Sequence, residues 1–348
     1  MIKCRRDIIN FHKSQVSTTY ISMSSRGLSG PIYTVHQVPE HFHEHFIIRG
    51  YRHPNSTAKQ CLLSVFDATN ETLNFWTHFL PSCYFLWVLK GLSETLDFKN
   101  DPYTWPLLAY MFGAVIFPLA SATAHTFNTM SDEMRHFCFF LDYGALSVFS
   151  LGGVIAYRAY SFPSAFVDTW FGHNFVRIAT INSLVSIIFS CQTRFMKLSF
   201  FRTFIRLGSF GFPYLYNSLP IMYRLMFCSP EECALPSQYQ HARQFIFAFS
   251  AAVLFATHFP ERFYPAKFDI FGHSHQLFHV ASILGTMDQM QAILHDMVDR
   301  RALLQDSWWF PSLSDSVGVL GAVMAINVIT IGLFSLRLRN FVKSTKSS

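Results

Sequence analysis

The sequence predicts an all-α, polytopic transmembrane bundle, a seven-helix core with an eighth helix near the C-terminus. Three observations predict it. Of the 348 residues, 51% are apolar and only 14% are charged, where a soluble domain carries about 25% charge. Eight predominantly apolar segments follow one another from residue 73 onward, each of roughly the length that crosses a bilayer. The ionisable side chains that do enter these segments are costly there, and a partner or a task has to account for them.

The elements follow in order. Residues 1–30 are Ser/Thr-rich and weakly apolar, as in SQVSTTYISMSSRGLSG, and read as a mobile tail. Lys3, Arg5 and Arg6 are followed by no apolar run or small-residue cleavage site, so no secretory signal is expected. Residues 31–70 are too polar to span and too aromatic to be wholly disordered. They read as a cytoplasmic juxtamembrane segment packed on the membrane domain or lying at its surface. Its His36, His41, His43 and His45 are irregularly spaced around Pro39 and read as surface histidines rather than a metal-binding tract. A membrane domain over 71–337 then holds segments centred on 73–93, 104–126, 136–158, 170–191, 203–224, 243–260, 271–294 and 316–337. The fourth is the weakest, because His173, Asn174 and Arg177 interrupt its start. The fifth contains Pro213 and Pro220, which membrane helices tolerate when neighbours satisfy the freed carbonyls. Residues 338–348 are left as a short basic cytoplasmic tail.

Cys61, Cys83, Cys138 and Cys191 are isolated. The last three lie in or beside apolar segments, where a buried free thiol is the default. Cys228 and Cys233 are five apart in one loop and can pair if that loop faces an oxidising compartment.

The net charge is +6, but the basic residues fall mostly in short loops, so they point to membrane topology and not to nucleic acid. With eight spans, 19 of the 27 Lys and Arg residues lie on the side of the N-terminus and eight on the other. The positive-inside rule then places both termini in the cytoplasm of a multi-pass protein of the cell membrane.

Under that orientation several polar residues fall at one depth in the inner leaflet. His125 lies near the cytoplasmic end of the second span, with Ser121 one turn before it on the same face. Asp142 and His275 lie near the cytoplasmic starts of the third and seventh spans, and His279 shares a face with His275. His125, His275 and His279 together make a three-histidine set with an open fourth position, the arrangement of a catalytic zinc. Asp142 is placed to ligate or to hold a water. Glu71, Asn74 and His78 form one face at the start of the first span. They read first as a polar cap or interhelical hydrogen-bond cluster, and secondly as support for the site, since a three-histidine centre leaves them no ligand position. His273, two residues before His275, points elsewhere on a helix and is expected at the interface.

These motifs carry a resemblance. NETLNFWTHFLP at 70–81, SATAHTF at 121–127, MRHFCFFLDYGALS at 134–147, FPERF at 259–263 and FDIFGHSHQLFH at 268–279 resemble the progestin and adipoQ receptor family, its membrane progestin receptor branch in particular, with gamma- or delta-type members nearest. The resemblance covers about residues 35 to 310. It implies a seven-helix core, zinc held at the cytoplasmic side by His125, His275 and His279, Ser121 and Asp142 beside the open position, and an additional helix matching 316–337. The family is similar in its zinc site to alkaline ceramidases.

Two functions follow as expectations. One is a receptor for a progestin-type steroid that enters from the bilayer and signals through cytoplasmic loops to G proteins. The other is a zinc-dependent hydrolase of a ceramide-like lipid amide, with Asp142 as general base and Ser121 orienting water or carbonyl; steroid could regulate it. The charge asymmetry generates a direct test. Epitope tags at either terminus should stain only after permeabilisation of intact cells; staining of a C-terminal tag on unpermeabilised cells removes the eight-span arrangement.

Overall fold

The computed structural model describes residues 26–197, 199–301 and 312–347. The N-terminal tail as far as residue 25, with Lys3, Arg5 and Arg6, lies outside the described residues. All eight expected segments are long helices. After a short α1 (Ala58–Ser64), these are α2 (Thr72–Thr95), α3 (Trp105–Phe127), α4 (Asp132–Ala156), α5 (Trp170–Gln192), α6 (Phe200–Phe227), α7 (Pro236–Thr257), α8 (Ser274–Asp299) and α9 (Val319–Ser347). Those of 316–337, α3, α4 and α5 are apolar enough to cross a membrane on length and composition alone. In α2, α6, α7 and α8 the apolar character is diluted by polar side chains that turn into the bundle, among them Asn74, His78, Arg224, His241, His279 and Asp296.

Neighbouring helices from α2 to α8 pack in sequence, and α8 returns against α2 and α3, so seven helices close a ring. The eighth, α9, lies outside that ring against α4 and α5. Tyr110, Met111, Leu107 and Phe85 fill the interior between α2, α3 and their neighbours. The helices α3 and α4 come into backbone contact. A Cβ on Gly152 would lie 2.8 Å from the Ala109 carbonyl oxygen, and one on Gly113 would lie 2.8 Å from the Phe149 Cα. Small residues allow this backbone contact, which drives helix association where lipid offers no hydrophobic force.

The segment before α2 packs on the bundle. Its first turn, β1 (Arg26–Gly27) with β2 (Gly30–Pro31), is held by the Asp67 carboxylate, which accepts from the Leu28 and Ser29 amides at 2.6 and 2.8 Å. Antiparallel β3 (Tyr33–Thr34) and β4 (Arg49–Tyr51) lie beside a small cluster of Val38, Phe42, Ile47 and Tyr51. Thr57 and Gln60 box the start of α1, which satisfies amides the helix itself leaves free. His36, His41, His43 and His45 are all exposed.

Three expectations change. Cys83 lies exposed on the outer face of α2, unlike buried Cys138 and Cys191, because it stands opposite the face of Asn74 and His78 that turns into the bundle. His273 is buried as the residue capping α8, with Nε2 3.0 Å from the Asn70 carbonyl. Arg224 and Arg300, counted above with the loops, are internal. Arg224 forks onto Asp296 at 2.6 and 2.8 Å, and His241 Nε2 donates to the same carboxylate at 2.9 Å. Gln244 continues the network to Tyr157, and Gln289 donates to the Tyr157 hydroxyl, so α4, α6, α7 and α8 are tied together. Arg300 donates to the Tyr160 and Phe162 carbonyls and pairs with Glu232 at 3.1 Å. Beside Glu232, Cys228 and Cys233 form a disulfide in the α6–α7 loop.

The contact between α3 and α4 yields a test. Gly152→Val should lower stability by about 1–3 kcal/mol, the usual cost of overpacking. Gly208→Ala, where an added Cβ meets nothing within 4 Å, should leave the thermal midpoint of the detergent-solubilised protein unchanged.

Candidate metal centre

Three helix ends and the middle of a fourth helix build the site. The last two turns of α3 supply Ser121 and His125, and the first two turns of α8 supply His275 and His279. The start of α2 brings Glu71, Asn74, Thr77 and His78, and α4 brings Asp142. The start of α8 is fixed by Glu261, whose carboxylate accepts from the Ser274 amide at 2.7 Å and from its hydroxyl, a charge matched to the positive end of a helix.

One potential ligand nitrogen from each of His125, His275 and His279 lies within 4.8 Å of the other two. The Nε2 atoms of His125 and His275 are 3.3 Å apart. A tetrahedral zinc at roughly 2.0–2.1 Å from each nitrogen separates two ligand atoms by about 3.3–3.4 Å. The hydrogen bonds behind the rings orient them for this. His125 Nδ1 donates to Glu71 Oε2 at 2.6 Å, which leaves Nε2 as a lone pair aimed at His275. The Thr77 hydroxyl donates to the Leu73 carbonyl at 2.6 Å, so its oxygen accepts from His279 Nδ1 at 3.1 Å and leaves His279 Nε2 free. A carboxylate or hydroxyl behind a ligand histidine fixes its tautomer and raises its basicity. The donor set therefore fits a zinc ion.

Glu71 is held in turn. Asn74 and Asn128 donate to its two oxygens at 2.9 and 2.8 Å. Arg52 donates to the Asn128 side chain at 2.6 Å and to the His125 and Thr126 carbonyls at 2.7 Å each. The polar face at the start of α2 is thus an interhelical cluster that positions the histidines. Within it Glu71 and Asn74 are engaged, while His78 lies apart. His78 stacks flat on His279, with centroids 3.7 Å apart, and meets the edge of the Phe117 ring. Both of its buried nitrogens are without a protein partner among the described residues.

Ser121 is buried one turn before His125, and Asp142 lies half-buried within electrostatic reach of His125. The structure brings His125, His275 and His279 together, with Glu71 bonded to His125 and His78 stacked on His279. Arg52, Thr77, Asn128 and Glu261 were not singled out. Thr77 and Glu261 stand in motifs already quoted; Arg52 carried a signal only as a charge close to the first span.

This geometry makes the metal set testable. His279→Ala should remove most of the zinc from purified protein. Glu71→Gln should weaken zinc affinity about 10–100-fold, as loss of such support does, measured by chelator competition. Unchanged zinc in His279→Ala would take that residue out of the set.

Comparison with known proteins shows the family. A model of the haemolysin-III-related family matches residues 66–290. The chain is 43% identical over 315 residues to the human membrane progestin receptor gamma, covering 90% of this chain and 95% of that protein. It is 43% identical over 333 residues to the zebrafish (Danio rerio) membrane progestin receptor gamma-A, covering 88% and 95%. To the human membrane progestin receptor delta it is 43% identical over 309 residues, covering 87% and 90%. The motifs, the seven-helix ring and these matches over most of the chain together place it: it belongs to the haemolysin-III-related progestin and adipoQ receptor family, with the membrane progestin receptors of gamma and delta type.

Proposed function

We propose that this chain is a membrane progestin receptor, in which a progestin-type steroid enters from the bilayer and shifts the bundle so that its cytoplasmic loops engage partners such as G proteins. The observation that carries the reading is kinship over nearly the whole chain with proteins named for that activity. Two features of the bundle support it. A groove of about 420 Å³ between α1, α2 and α3 is walled by Phe66, Phe75, Trp76, Phe79 and Leu119, a size and lining suited to a flat apolar ligand. Its last wall, Thr126, is one residue from His125, and its carbonyl is held by Arg52. The Cys228–Cys233 disulfide lies in the α6–α7 loop, beyond the far ends of those helices from the metal centre. Disulfides persist in oxidising compartments, which supports cytoplasmic termini and a centre on the cytoplasmic side.

The second reading is a ceramidase-like amide hydrolase, favoured by the three-histidine set with Asp142 and Ser121 beside it. A zinc ion held by His125, His275 and His279 would act as a Lewis acid toward an amide carbonyl and leave one position open. Asp142 would take a proton from the attacking water and return it to the leaving amine, so that water divides the lipid into a fatty acid and a sphingoid amine. Ser121 would orient the water or the carbonyl.

Both readings are tested on one preparation. Purified protein in lipid vesicles should bind radiolabelled progesterone saturably; binding equal to that of empty vesicles removes the receptor reading. In single-turnover release of fatty acid from ceramide, Asp142→Asn should keep the bundle folded and lower the rate about 10²–10⁴-fold, the range of a general base. Equal rates in wild type, variant and zinc-stripped protein would leave the centre without a hydrolytic role.

A further inference from the structure

The end of α5 and the start of α6 gather positive charge without a matching carboxylate. Arg194 stands in the turn after α5 (Thr193–Phe195), and Arg202 and Arg206 lie on one face of the first two turns of α6. Arg194 faces the Phe139 ring at 4.5 Å and Arg206 faces Tyr143 at 5.9 Å, so both lie over one face of α4. The electrostatic neighbours of Arg202 are Arg206 and Tyr143; those of Arg194 are Tyr143, Arg206, Arg135 and Arg202. Among the described residues no acidic side chain pairs with Arg194, Arg202 or Arg206. The nearby acids are engaged elsewhere: Glu44 with Arg135, Asp132 with His41 and Glu133 with Arg339.

The hydrogen bonds leave the same gap. Arg194 Nε meets His136 Nδ1 at 3.2 Å, and Arg202 reaches the Met196 carbonyl at 3.5 Å. Arg206 Nε and Nη2 are buried and have no protein partner among the described residues. The amino end of α6, capped by Ser199, adds its positive pole to the group. Clustered, partly desolvated cations repel one another, and an anion that satisfies their donors relieves both costs.

The surroundings identify the source of the anion. On the other face of the same two turns, Phe200, Phe201 and Phe204 are 87%, 62% and 63% exposed. An amino end bearing three outward phenylalanines sits in hydrocarbon, while the arginines behind them reach headgroup level. We propose that Arg194, Arg202 and Arg206 form a binding site for the phosphomonoester headgroup of an anionic membrane lipid, whose acyl chains lie on Phe200, Phe201 and Phe204. A phosphomonoester carries about −1.5 to −2 charge and three acceptor oxygens, which suits several guanidinium forks better than a phosphodiester does. The site rests on the membrane setting and is independent of both the steroid and the hydrolase readings.

The test uses full-length protein in phosphatidylcholine nanodiscs, titrated with a fluorescent short-chain phosphatidylinositol 4,5-bisphosphate. Wild type should bind it saturably, and more weakly as salt rises. Arg202→Gln and Arg206→Gln should each weaken binding about five-fold and the double variant roughly thirty-fold, at the usual contribution of a basic residue near an anionic headgroup. Arg177→Gln, an exposed position at the other end of α5, should bind as wild type. Monodisperse elution establishes that each variant is folded, and the single variants decide the matter if the double variant aggregates. Phosphatidate should compete, and phosphatidylserine should compete poorly. Binding by the folded arginine variants within two-fold of wild type overturns the site. Equal competition by phosphatidylserine overturns the phosphomonoester assignment, and equal competition by soluble inositol 1,4,5-trisphosphate overturns the lipid source.

Discussion

The position of the histidine cluster depends on one buried link, from Arg52 to the last turn of α3 and from there through Glu71 to His125. The carbonyls at a helix C-terminus lack partners within the helix and carry its negative pole. Arg52 answers both needs at once, because its fork takes the carbonyls of His125 and Thr126. The guanidinium is itself buried, which would be prohibitive without a counter-charge. Glu71 supplies it across Asn128. The same carboxylate fixes the His125 tautomer. The segment before the membrane, the ends of two helices and the direction of a ligand lone pair are therefore set by one pair of opposite charges. Breaking such a pair from one side costs about 3–5 kcal/mol, because it leaves the other charge buried alone.

Much of this was legible in the sequence, for a definite reason. In an apolar segment every ionisable residue stands out, so His125, Asp142, His275 and His279 could be placed by depth and helix face before any contact was known. The closure of seven helices into a ring, with α9 outside it, agrees with the fold class read from segment number and length. The illegible parts depend on contacts between residues far apart in the chain. Arg52 lies 73 residues before the carbonyl it caps, and nothing local to a lone arginine in a polar segment announces that. Thr77 reaches His279 across 202 residues. Arg224 was read with the loops because it stands at the end of the segment 203–224, and its partner Asp296 lies just past the segment 271–294, so neither charge stood inside an apolar run; only the fold shows the pair to be internal. The outward Cys83 was legible in principle, since it lies opposite the polar face of Asn74 and His78 on the same helix.

The two ends of the bundle are built differently, and the difference bears on where ligand-driven change can occur. At the far end, Arg224, Asp296, His241, Gln244 and Tyr157 form a continuous network across four helices, and Arg300 closes onto two carbonyls of the turn after α4. The fork on Asp296 and the imidazole between Asp296 and Gln244 pair donor with acceptor along the chain of bonds, although Arg224 Nε and Arg300 Nε keep no hydrogen-bond partner among the described residues. Moving these helices apart would strand charge in a low-dielectric interior. At the histidine end the Arg52–Glu71 network holds α2 and α3, while His78 keeps two nitrogens without a protein partner among the described residues. A bound molecule that satisfies His78 can therefore act here without breaking that network.

That asymmetry also narrows the difference between receptor and hydrolase. A progestin and a ceramide each present carbonyl oxygen on a largely apolar body. Under either proposed reading such an oxygen would meet the histidine cluster, where His78 stacks on the ring of His279. Recognition of the carbonyl asks no more than this. Hydrolysis needs in addition that the Asp142 carboxylate, on a different helix, stands ready to accept a proton beside the carbonyl carbon. Recognition depends on the α2, α3 and α8 ends that Arg52 and Glu71 bind together, whereas turnover depends also on how α4 sits against them. Gly113 and Gly152 bring α3 and α4 into backbone contact, so this packing helps to set the placement of Asp142 relative to His125. Under the hydrolase reading, a shift of α4 against α3 would therefore impair cleavage while leaving recognition of the carbonyl to the ends of α2, α3 and α8.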